Sequence, residues 1–120
     1  MADRIFYGMQ ALQPNLKVIA GSFVTDGTND PSSLTGKGFT VTHTATGKFT
    51  VTLGDKFPGL LSAISNVESS TAGDHMSQLG DIDVSSAKTI VIHTLTAGTA
   101  ANLTGQKVHF CLFLRNTSIT

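Results

Sequence analysis

The sequence predicts one all-β domain, an antiparallel β-sandwich of jelly-roll or Greek-key type preceded by an N-terminal arm. Three observations carry that expectation. Apolar and polar residues alternate with period two along most of the chain. Clusters of Gly, Pro, Asn, Asp and Ser separate the alternating runs. No window sustains a helical apolar stripe beyond two turns. A chain of 120 residues buries roughly two thirds of its unfolded surface, enough for a core without covalent staples.

Residues 1–14, within "MADRIFYGMQALQPN", mix Ile5, Phe6, Tyr7, Met9 and Leu12 with Gly8, Gln10, Gln13 and Pro14. The segment is too apolar for a solvated tail and too irregular for a regular element. It reads either as an arm that repays its ordering cost on a partner or as an edge strand of the domain itself. The sandwich proper is expected over residues 15–120.

"NLKVIAGSFV" is rich in β-branched and apolar residues and predicts the first strand, and "TDGTNDPSSLTGKG" after it is a loop by composition. In "GFTVTHTATGKFTVTL", Phe39, Val41 and His43 oppose Thr40, Thr42 and Thr44, and Phe49, Val51 and Leu53 oppose Thr50 and Thr52. A turn at Ala45-Thr46-Gly47, with Gly47 left-handed in a G1 bulge, pairs Thr44 with Lys48 and sets His43 opposite Phe49, Val41 opposite Val51 and Phe39 opposite Leu53. A slip of one residue would mix the two faces, so the pattern fixes the register.

After the turn "GDKFPG" comes "LLSAISNVES", a strand or a short helix, since Leu61, Ile64 and Val67 also fit a period near three. "SSTAGDHMSQLGDID" reads as a long polar connection and "TAGTAANLTGQ" as a further loop. "AKTIVIHTL" and "KVHFCLFLRN" are strands with buried character. The count is roughly six to eight strands without helices, as in sandwiches. In the last strand Val108, Phe110, Leu112 and Leu114 face the core, which leaves His109, Cys111, Phe113 and Arg115 on the other side. Two of these four are apolar, and a neighbouring subunit, a covering loop or a single stray exposed Phe accounts for them.

Eight basic and eight acidic residues cancel, so no long-range attraction draws the chain to nucleic acid or an anionic membrane. Charged residues make up 13% of the sequence, about half the usual quarter. The remaining surface is therefore Thr, Ser, Asn and Gly, or is covered by another protein. No continuous apolar run follows the first basic residue, so neither a signal peptide nor a membrane span is expected. In that setting the sequons at Asn102 and Asn116 read as chance matches in a Thr-rich chain.

Residues suited to chemistry are sparse. His43, His75, His93 and His109 form no H-x-H pair, and the expectation for each is a hydrogen-bonded structural role rather than metal binding. Asp26, Asn29 and Asp30, and Asp81 and Asp83, offer oxygens but no EF-hand spacing, and serve equally as turn formers. The single cysteine, Cys111, makes no internal disulfide, and its apolar strand keeps the thiol protonated. There is no G-x-S-x-G elbow, no Walker loop, one glutamate, Glu68, and no Trp for stacking on sugars. The sequence thus predicts no enzyme, no cofactor and no metal site.

The run G-K-G-F-x-V-x-x-T-x-T-G-x-[FY]-T-V-T-L from Gly36, followed by D-x-[FY]-P-x-L-L-S-A from Asp55, lies within a succession running from "ADRIFYGMQAL" to "VHFCLFLRNTSI". Over nearly the whole chain this succession resembles small virion proteins of tailed bacteriophages. The resemblance implies a capsid decoration, or cement, protein that binds the major capsid protein, with a head-fibre or tail-fibre knob binding a host receptor or glycan as the alternative. It brings no catalytic motif. It implies synthesis in host cytoplasm and a place on the capsid exterior, as a homo-oligomer in which a trimer suits threefold positions and a dimer suits twofold ones. The partner and interface candidates are then Ile5, Phe6, Tyr7, Met9 and Leu12 in the arm and His109, Cys111, Phe113 and Arg115 on the last strand.

Overall fold

The computed structural model describes Leu12, residues 16–70 and residues 72–115. Among these are nine strands and no helix: β1 (Leu16–Asp26), β2 (Asn29–Gly36), β3 (Phe39–Ala45), β4 (Lys48–Leu53), β5 (Gly59–Glu68), β6 (His75–Asp83), β7 (Thr89–Thr96), β8 (Thr99–Ala100) and β9 (Thr104–Arg115). They form two antiparallel sheets, one in the order β2-β1-β9-β5 and the other in the order β3-β4-β7-β6, with the short β8 paired to β7. The sheets pack face to face around one core, so the expected β-sandwich is the fold. The chain crosses from one sheet to the other between β2 and β3, β4 and β5, and β5 and β6, and β9 returns to lie between β1 and β5.

The β3–β4 hairpin has the register that its Thr alternation dictates, with Phe39 opposite Leu53, Val41 opposite Val51 and His43 opposite Phe49. A bulge falls between His43 and Ala45, so Ala45 rather than Thr44 pairs with Lys48. Thr44 instead donates its hydroxyl to the Lys48 carbonyl at 3.3 Å. Gly47 has φ +61°, and a Cβ there would lie 2.5 Å from the Thr94 carbonyl oxygen. Both the left-handed turn and the close approach to β7 therefore require glycine.

The core holds Phe23 from β1, Phe49, Val51 and Leu53 from β4, Ile90 and Ile92 from β7, and Val108, Phe110, Leu112 and Leu114 from β9, all 5% exposed or less. Phe23 packs tilted on Phe49 with ring centroids 5.1 Å apart, and Phe39 meets Phe110 edge-on at 4.8 Å, so each aromatic pair spans the two sheets. Two buried threonines close gaps in the ladders. At the bulge between Val24 and Asp26, the Thr25 hydroxyl donates to the Gln106 carbonyl and accepts from the Gln106 N–H. The Thr94 hydroxyl donates to the Ala101 carbonyl at 2.8 Å and ties the end of β8 to β7.

Two segments that read as connections by composition are strands. "NDPSSLTG" is strand β2 rather than loop, and Pro31 is accommodated because β2 is an edge strand. "HMSQLGDID" is β6, also an edge strand, in which Leu79 packs on the core and the half-buried Ser77 bonds the Ser65 hydroxyl of β5 at 2.9 Å. Of the two readings open for "LLSAISNVES", the strand holds, over Gly59–Glu68, with a bulge between Leu60 and Ser62; the near-three apolar spacing arises because Ile64 faces outward while Val67 packs on the core.

Truncating Phe49, which is fully buried against Phe23, is expected to cost about 3–5 kcal/mol. Urea denaturation of Phe49→Ala measures it, and a loss under ~1 kcal/mol would show that the inter-sheet aromatic contact does not carry the core.

Candidate functional site

Among the described residues the most distinctive surface is the outside of the β2-β1-β9-β5 sheet. The register builds that surface. Because Val108, Phe110, Leu112 and Leu114 point inward, His109, Cys111 and Phe113 point outward. Across the sheet, Val18, Phe113 and Ser62 form one row, Ala20, Cys111 and Ile64 the next, Ser22, His109 and Asn66 a third, and Val24, Lys107 and Glu68 a fourth. The first two rows are largely apolar and the last two largely polar. Val18 remains 40% exposed and Ile64 60% exposed, and Leu61, in the β5 bulge, is also exposed. Single exposed apolar residues are ordinary, but adjacent rows of them on three neighbouring strands are the pattern of a contact surface.

Along the same face runs a shallow, open depression of about 570 Å³, lined by Ala20, Ser22, Ile64, Asn66, His109 and Cys111 among others. At its polar end the His109 Nε2–H donates to Glu68 Oε1 at 2.8 Å. This hydrogen bond, with the positive charges of His109 and Lys107 adding to it, holds the Glu68 carboxyl below the ordinary carboxylate range. Both side chains are about half exposed or more, so solvent screens the pair and it orders the surface more than it stabilises the fold.

The strand candidates His109, Cys111 and Phe113 thus share one face, as their alternation requires. Arg115 sits at its margin: the guanidinium lies across Gly59, and Nη2 donates to the Pro58 carbonyl at 3.5 Å, so it braces the β4–β5 turn. Leu12 is fully exposed. Ile5, Phe6, Tyr7 and Met9 lie outside the described residues. Sequence reasoning missed Val18, Ala20, Ile64 and Glu68, the flanking members of the same rows. The one signal for them was Ile64, an apolar residue out of phase with Ala63 and Val67, which pack toward the core.

The other histidines have structural partners. His43 Nε2–H donates to Asn102 Oδ1, which also accepts from the Gly47 N–H, each at 2.8 Å, and the His43 N–H donates to Asp30 Oδ1. His75 bonds the Thr96 hydroxyl. The His93 ring lies over Gly80, where a Cβ would come within 2.6 Å of Nε2. Asp83 accepts from the Ser86 N–H in the β6–β7 turn. Among the described residues, no three His, Cys, Asp or Glu side chains converge as ligands for a metal ion.

The outside of the second sheet has a different character. Thr40, Thr52 and Thr89 form one row and Thr42, Thr50 and Val91 the next, a low-charge surface of hydroxyls and methyls. Compared with protein-family models, curated proteins and solved structures, the chain has no match.

The Glu68–His109 pair makes a testable contribution to acid behaviour. A carboxyl held below its ordinary range adds stability above its unfolded pKa, and that stability is lost as the pH falls through the folded value. In His109→Ala, carbon-detected NMR titration is expected to find the Glu68 carboxyl shifted up toward the ordinary range. An unmoved titration would mean that the hydrogen bond does not persist in solution.

Proposed function

We propose that this protein is a non-enzymatic structural component of a tailed-bacteriophage virion, a capsid decoration protein that binds the major capsid protein shell as a homo-oligomer. The observation that supports it most is the two-faced β9. A central strand whose inner side fills the core also presents Cys111 and Phe113 outward, flanked by exposed Val18 and Ile64. Such a face gains stability when a subunit covers it, at about 25 cal/mol per Å² of apolar surface removed from water.

Two further features fit this role. The chain has zero formal net charge and few charged residues, which suits contacts that tolerate salt and do not depend on steering. The resemblance of the Gly36–Leu53 and Asp55–Ala63 runs to small phage virion proteins supplies the virion context. In this role a trimer on a threefold position is the first assembly to consider and a dimer on a twofold the second. Binding is the sum of many modest contacts and needs no reacting group. The threonine rows of the second sheet then serve as a soluble surface that faces either the medium or a neighbouring protein.

Expanded heads assembled without this protein provide the test. The purified chain is expected to co-sediment with them, to saturate at a copy number matching symmetry positions, and to stay bound in about 0.5 M salt, where surface charge pairs are screened. Ile64→Asp, a change at an exposed residue, should leave the unfolding midpoint nearly unchanged. Its self-association, read by light scattering, should weaken by about tenfold or more, the scale of burying one Ile side chain. Absence of head binding together with binding to host cells or polysaccharide would replace the decoration role with that of a fibre knob.

A further inference from the structure

We infer that the apolar outer face of the β2-β1-β9-β5 sheet receives the N-terminal segment, residues 1–11, of a second copy of this chain. The inference rests on the self-association proposed above and is independent of the capsid. It names what covers the face.

The position of the chain start is the first argument. β1 begins at Leu16, paired with Arg115, and the next outward row holds Val18 and Phe113. The segment before it therefore enters the sheet at the apolar end of the face, where a short step reaches a neighbouring molecule packed on the same side. Leu12 carries the second argument. A segment folded back onto its own sheet would bring Leu12 against Val18 or Phe113, but Leu12 is fully exposed. Its side chain, four positions before β1, makes no use of the apolar surface of its own chain.

Length and composition agree. Eleven residues span up to about 36–40 Å when extended, whereas the face from the Phe113 row to the Lys107 row is six residues of β9, about 20 Å. The segment carries Ile5, Phe6, Tyr7 and Met9 in one block and its only charged residues, Asp3 and Arg4, in another. The face has the same division, with Val18, Ala20, Ile64, Cys111 and Phe113 at one end and Glu68, Lys107 and His109 at the other. A segment lying along the depression can match apolar block to apolar rows and Asp3 and Arg4 to Lys107 and Glu68. The ordering cost of the segment falls due only when it binds, so exchange couples arm ordering to assembly.

The single cysteine lies on this face, which gives a direct test on the free protein, without heads. Chains carrying Tyr7→Cys or Met9→Cys together with Cys111→Ser are co-expressed with the wild-type chain and exposed to glutathione disulfide. Each new protein disulfide passes two electrons and two protons to the reagent and yields two glutathiones. A disulfide between the introduced cysteine and Cys111 can form only between chains. It is expected at a rate at least about tenfold above that of a Thr42→Cys, Cys111→Ser control on the opposite sheet, because binding raises the effective concentration of the arm thiol. Linkage at the control rate from both positions overturns the inference. So does faster linkage within one chain when Met9→Cys is made in the Cys111-containing background, which would place the arm on its own sheet. Deletion of residues 1–11 should also speed alkylation of Cys111 by about tenfold or more and disperse the oligomer. An intact oligomer with an unchanged alkylation rate would mean that the faces pack directly on one another. Failure of head binding with successful cross-linking would remove the decoration role and leave arm exchange in place.

Discussion

The phenylalanines between the two sheets set the geometry on which everything else depends. Phe23 and Phe110 rise from β1 and β9, 6.4 Å apart within their sheet, and meet Phe49 of β4 and Phe39 of β3 across the sandwich at centroid distances of 5.1 and 4.8 Å. Phe39 fits only because Gly21 and Gly36, paired on β1 and β2, leave room. A Cβ on Gly21 would lie 2.3 Å from the Phe39 ring, and one on Gly36 would lie 2.8 Å away. Burying Phe110 also fixes the parity of β9. Side chains alternate along a strand, so the choice that places Phe110 and Leu112 in the core also places Cys111 and Phe113 outside. The exposed apolar face is thus a direct consequence of the core, and it recurs on β1 and β5 because their pairing with β9 is in register.

Legibility in the sequence followed the strength of this alternation. The β3–β4 hairpin was readable from Phe39–Leu53 to His43–Phe49, since threonine alternates with the inward residues there, but the pair next to the turn was not, because a bulge puts Ala45 rather than Thr44 opposite Lys48. The two faces of β9 were readable for the same reason. The edge strands β2 and β6 were not, because an edge strand has one wet margin and tolerates Pro31, Ser32, Ser33 and Asp81, the residue types that also mark loops. Long-range partners were invisible to local pattern. His109 meets Glu68 and His43 meets Asn102 across 41 and 59 intervening positions of sequence separation, and only the sheet order brings them together. Likewise Val18 and Ile64 became members of the candidate surface only once β1 and β5 were known to flank β9.

The two outer faces of the sandwich invite different fates. On the second sheet, each threonine offers a methyl for packing and a hydroxyl that water satisfies, so leaving it wet costs little; Thr44 and Thr50 even share a hydroxyl contact at 3.3 Å. On the first sheet, Val18, Ile64 and Phe113 offer water nothing to bond, while Ser22, in the next row beyond them, is already buried. Covering the first face releases water from apolar surface, whereas covering the second requires each hydroxyl to find a new partner or lose one. Covering the apolar rows of the first sheet therefore gains more than covering the threonine rows of the second, even though both faces are low in charge.

The polar end of the first face adds selectivity to that attraction. His109 sits one row, and Glu68 and Lys107 two rows, from Ile64 and Cys111, so a partner that slides along the sheet by one residue pair brings apolar groups toward the ion pair and leaves those charges poorly solvated. The penalty rises with each misplaced row, while the gain from the apolar rows falls. A surface divided in this way fixes the register of whatever lies on it, which a uniformly apolar patch would not do. The same alternation that fills the core would thereby set both the place and the alignment of any partner lying on this face.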